Sequence, residues 1–94
     1  MNITLPSLSD IQNFINTWQA QGANAGWSNT AFYTLASQTF PNISHDALTY
    51  LRTQSEAYKT QFGVGPSAQL QLNLLQQYYQ SKGYTVNSPT GTTA

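Results

Sequence analysis

Apolar residues recur along this chain at three- and four-residue spacing, in blocks separated by glycine, proline and serine. Leu8, Ile11, Phe14, Ile15 and Trp18 form the first stripe, the pattern of one face of a helix of period 3.6. Ser7 stands at its N-cap after Pro6, and Asp10 three residues on makes a variant of the capping box. The second stripe is Ala31, Phe32, Leu35, Ala36, Thr39 and Phe40, with Ser28 as cap and Pro41 as stop. Between the two stripes, Gly22–Gly26 reads as a loop.

The third stripe, Leu48, Leu51, Ser55, Tyr58 and Phe62, follows Ser44 as N-cap. Ile43 is placed to staple onto Leu48, and Gly63 with Val64 supplies a left-handed stop and its apolar contact. Ser67 caps the fourth stripe, Leu70, Leu74, Leu75, Tyr78 and Tyr79. Leu72 lies off that line, so this helix is expected to be apolar on more than one side. Gly83 and Tyr84 repeat the stop signal.

The pattern predicts an all-α fold, a compact bundle of about four short helices near residues 8–21, 29–40, 45–62 and 68–82. Residues 1–84 form the single helical domain, and 85–94 an irregular Thr/Ser/Gly-rich tail expected to be flexible in a free monomer. Met1–Pro6 has neither a basic nor an apolar region, so no signal peptide is expected. No run nears the roughly 20 apolar residues of a membrane span.

Composition sharpens this reading. The 94 residues carry no cysteine, which excludes a disulfide framework, a thiolate zinc site and a cysteine nucleophile. Charged residues make up only 6% of the chain and the net charge is zero, where a soluble domain ordinarily has about 25% charged residues. Aromatics at 13% argue for a folded chain rather than a disordered one. With no net repulsion between copies, composition alone favours self-association.

Every formal charge has a place in helix structure. Asp10 and Asp46 fall in first turns and Lys82 in a last turn, each favoured by the macrodipole by about 0.3–1 kcal/mol. Arg52, Glu56 and Lys59 are spaced to pair along one helix edge. His45, the one histidine, has Ser44 and Asp46 beside it, but neighbours on a helix do not face each other, so no catalytic triad follows. It also lacks a second histidine or a cysteine with which to hold a metal. Asp46 and Glu56 point to different sides of their helix, so a glycosidase carboxylate pair is not expected. Three cations are too few for the roughly 6–10 phosphate contacts typical of DNA binding.

The sequence therefore predicts no catalytic residues, no cofactor, no metal site and no nucleic-acid partner. Most aromatics fall on the stripes. Trp27, Tyr33, Tyr50, Tyr79 and Tyr84 fall outside the expected core more easily and are the candidate interface residues. The expectation is a non-catalytic structural or protein-interaction subunit of a larger assembly, such as a virion, appendage or secreted or surface complex, with protein partners that include a second copy of the chain. The alternative is a small monomeric binding module for a glycan or an apolar ligand. Low charge favours an extracellular, virion or acidic setting.

Overall fold

The computed structural model describes residues 1–20 and 29–87. Four helices lie among the described residues, α1 (Leu8–Ala20), α2 (Asn29–Thr39), α3 (His45–Phe62) and α4 (Ala68–Ser81). Their ends fall within one residue of the predicted bounds. The Gly22–Gly26 loop, Ser28, Trp27 and residues 88–94 lie outside the described residues.

The serine caps form as the sequence predicts. Ser7 Oγ accepts the Asp10 N–H at 3.0 Å, Ser44 Oγ the Ala47 N–H at 3.2 Å, and Ser67 Oγ the Leu70 N–H at 3.2 Å. Each satisfies one backbone donor that the first helical turn leaves free. Both glycine stops adopt positive φ, 81° at Gly63 and 85° at Gly83, a conformation that costs other residues about 1–2 kcal/mol. At the end of α4, Tyr84 N–H bonds Tyr79 O at 3.0 Å and Gly83 N–H bonds Gln80 O at 3.0 Å. Those two bonds make a complete Schellman motif.

Helices α1 and α2, α2 and α3, α3 and α4, and α4 and α1 pack against one another, which closes the bundle. Its centre is aromatic. Phe14 meets Phe32 edge-on at 5.5 Å and Phe40 at 5.2 Å, and Trp18 meets Phe32 edge-on at 5.7 Å. Ile11, Leu48, Leu51, Ile43 and Leu75 belong to the same buried cluster.

Two stripes depart from expectation. On α4 the buried line is Ala68, Gln71, Leu75 and Tyr79, while Leu70, Leu74 and Tyr78 sit half-buried on its flank. The polar Gln71 sits on this line, so apolar spacing alone draws the stripe to one side. At the other end of the bundle, Phe62 and Val64 remain 57% and 63% exposed. Phe62 packs on Tyr58 of its own helix, with ring centroids 4.5 Å apart.

The chain ends also hold a structure that the helical pattern does not foretell. β1 (Asn2–Thr4) and β2 (Thr85–Asn87) pair in parallel, with Ile3 opposite Val86. Thr85 N–H bonds Met1 O at 2.8 Å, Leu5 N–H bonds Asn87 O at 3.0 Å, and Asn42 Nδ2 donates to Thr4 O at 2.9 Å. Ile3 and Val86 pack on the core between exposed polar neighbours. Thr85–Asn87, the start of the expected irregular tail, is therefore an ordered strand.

Candidate functional site

The short turn after Gly63 makes α3 and α4 antiparallel, so the start of α3 lies beside the end of α4. Side chains four apart share a helix face. On α3 this places Asp46 with Tyr50, and on α4 it places Tyr78 with Lys82. The two pairs meet. Tyr50 and Tyr78 have ring centroids 5.6 Å apart, and Lys82 Nζ lies 5.6 Å over the Tyr78 ring. Tyr78 contacts Tyr79 edge-on at 5.3 Å, and Tyr79 contacts Tyr84 at 5.0 Å. Four tyrosines thus form one unbroken array at this end of the bundle.

Tyr79 anchors the array. It is 3% exposed, which corrects its assignment to a solvent-facing interface. Its hydroxyl accepts the Ser44 N–H at 3.1 Å and donates to Ser44 Oγ at 3.5 Å. In a capping box the third helical residue reaches back to bond the cap's own N–H. Here that residue is Ala47, which has no group to offer. Tyr79 supplies the bond from another helix and ties the end of α4 to the start of α3.

The other three rings, Tyr50, Tyr78 and Tyr84, are half-buried and present one side to solvent. Burial pushes the Tyr78 hydroxyl above its ordinary value of 10.0, and the negative charge of Asp46 adds to the rise, followed by Tyr79 and Tyr84. Tyr33 lies apart from this array. Its ring stacks on His45 at 4.2 Å, and its hydroxyl bonds Thr49 Oγ1, which donates to the His45 carbonyl at 3.0 Å. Of the predicted interface residues, the structure therefore brings together Tyr50, Tyr79 and Tyr84 and leaves Tyr33 in its own contact.

Sequence reasoning assigned Tyr78 to the core and Asp46 and Lys82 to their helix dipoles. The signal that joins them is the four-residue spacing of Asp46–Tyr50 and Tyr78–Lys82, once α3 and α4 are known to be antiparallel. The remaining charges are mostly as expected. Arg52 and Glu56 pair at 3.3 Å, whereas Glu56 and Lys59 do not reach ion-pair distance. Among the described residues no group of three His, Cys, Asp or Glu could hold a metal, and no helix is long and apolar enough to cross a membrane.

A separate cavity of about 80 Å³ lies between α1, α4 and the turn before α4, lined by Phe14, Ile15, Trp18, Lys59, Pro66 and Gln71. Gln71 is 1% exposed. Its Nε2 donates to Pro66 O at 3.3 Å, and its Oε1 has no partner. Small-molecule sites measure about 300–1,000 Å³, whereas a water takes roughly 30 Å³. At about 80 Å³ the cavity falls below that range and has room for water. Comparison with known proteins finds no family model, no curated protein and no solved structure that matches the chain.

Proposed function

We propose that this chain is a non-catalytic subunit of a larger protein assembly, docking through the face formed by Tyr50, Tyr78 and Tyr84. The observation that carries the reading is the tyrosine array itself. Two partly exposed rings, Tyr78 and Tyr84, rest on the buried Tyr79, whose hydroxyl is fixed to Ser44, and Tyr50 rests in turn on Tyr78. Tyrosine is enriched at binding hot spots because it joins a large apolar area to a polar tip. Rings already fixed by the core lose little freedom on docking, so more of the contact energy is left for affinity. The low charge of the chain supports the same reading, since the cores of interfaces are depleted in charge.

The test is sedimentation from micromolar to millimolar concentration, with amide NMR shifts followed over the same range. The expected result is association, with the concentration-dependent shifts centred on Tyr50, Tyr78 and Tyr84. Replacing Tyr50 and Tyr78 together by serine should weaken that association at least tenfold. Shifts centred instead on the exposed Phe62 and Val64 would place the contact at the opposite end of α3 and refute this reading.

A further inference from the structure

We infer that the tyrosine face is a two-fold contact with a second copy of this chain, in which Asp46 of each protomer pairs with the partner's Lys82. The inference rests on the assembly reading above and names its partner.

The argument is one of charge placement. Asp46 lies in the first turn of α3, and Lys82 caps the end of α4. Because these two helix ends are neighbours, an acid and a base stand on one surface with the Tyr50–Tyr78 contact beside them. Among the described residues neither charge makes an ion pair within the chain. Lys82 instead leans over the Tyr78 ring. A partner surface of one sign would satisfy one of these charges and oppose the other. A second copy related by a two-fold axis through the ring contact satisfies both, because Asp46 and Lys82 then exchange places across the axis. That reciprocity is the property of an isologous interface, in which each residue meets its complement twice.

The copies also have no net charge to hold them apart. A standard interface buries about 800 Å² per partner, roughly a seventh of the 5528 Å² surface of the chain. A contact confined to the tyrosine rings and their two flanking charges is expected to be weak, with a dissociation constant in the micromolar range or above.

The test is a charge exchange followed by sedimentation, with thermal melting to confirm folding. Asp46→Lys alone sets two lysines against each other twice, and Lys82→Glu alone does the same with two acids. Each variant should raise the dissociation constant roughly tenfold, the size of two exposed ion pairs replaced by like-charge contacts. An equimolar mixture of the two variants should associate as tightly as the native chain, because every pair in the mixed dimer is again Lys with Asp or Glu. If a reversal impairs folding, the milder Asp46→Asn and Lys82→Gln each lose both pairs, and their equimolar mixture regains one of the two, so it should associate more tightly than either variant alone but less tightly than the native chain.

A mixture that fails to recover overturns the inference. If the native chain associates, and the paired tyrosine-to-serine change abolishes this while neither charge reversal affects it, the two-fold pairing is wrong but the docking face stands. If association ignores the tyrosines as well, both readings fall. A native chain that stays monomeric at millimolar concentration also overturns the inference.

Discussion

Replacing Tyr79 by phenylalanine removes one oxygen and leaves the ring in place. That oxygen accepts the N–H of Ser44 at 3.1 Å, the amide that the helix leaves without a partner and that Ala47 cannot serve. A hydrogen bond of this kind contributes about 0.5–1.5 kcal/mol net. Ser44 is itself exposed and its bond to Tyr79 is only partly buried, so a full desolvation penalty is not expected. The expected loss is therefore about 1 kcal/mol, or a fall in Tm of about 4–8 °C for a domain of this size. Tyr79→Leu goes further. It also loses the edge contacts to Tyr78 and Tyr84, each worth about 0.5–1.5 kcal/mol, for a total near 3 kcal/mol. Urea unfolding of the three proteins measures both steps. If Tyr79→Phe unfolds within about 0.3 kcal/mol of the native chain, the Ser44 bond contributes nothing and the cross-helix cap is not stabilising. If Tyr79→Phe costs as much as Tyr79→Leu, the ring contacts are the part that contributes nothing.

Two other changes follow from the same physics. Ser55 is fully buried on α3 and its hydroxyl has no hydrogen-bond partner, so Ser55→Ala should stabilise the fold by about 1 kcal/mol by removing an unpaired polar group and improving helix propensity; a lower midpoint in urea would show that the hydroxyl is satisfied by water. Tyr78 has its pKa raised in the folded state, so folding favours the neutral phenol. The stability this confers is fully present below the unfolded value of 10.0 and is lost as pH rises through the higher folded value. Tyr78→Phe should therefore flatten the alkaline limb of Tm against pH, and an unchanged limb would show that other groups set it.

The helices were legible because their signals are local and redundant. Ser44, for instance, is followed by an apolar run and closed by Gly63, so cap, stripe and stop agree on α3. The ribbon was not legible because three residues are too few for alternation to register. Asn2-Ile3-Thr4 and Thr85-Val86-Asn87 do repeat one polar–apolar–polar pattern, but only a partner some eighty positions away gives it meaning. Tyr79 was misplaced for a different reason. The buried line of α4 passes through Gln71, and a polar residue breaks the apolar pattern from which a core face is read. The site was half legible. Tyr50 and Tyr84 could be singled out as aromatics with divided character, but the joining of Asp46, Tyr78 and Lys82 to them depends on which helices are neighbours.

The parallel sense of the ribbon decides how the chain responds to force. The chain enters β1 at Asn2 and leaves β2 at Asn87, which puts the entry and the exit at opposite ends of the two-stranded unit. A pull applied through the flanking chain slides the strands lengthwise past each other. All the inter-strand hydrogen bonds then bear load together, instead of opening one after another as in a zipper. The helices lie within the loop that the ribbon closes, so tension reaches them only after the strands have sheared. The ribbon is the mechanical clasp of the bundle, and Asn42, bonded to Thr4 O, braces it from the side.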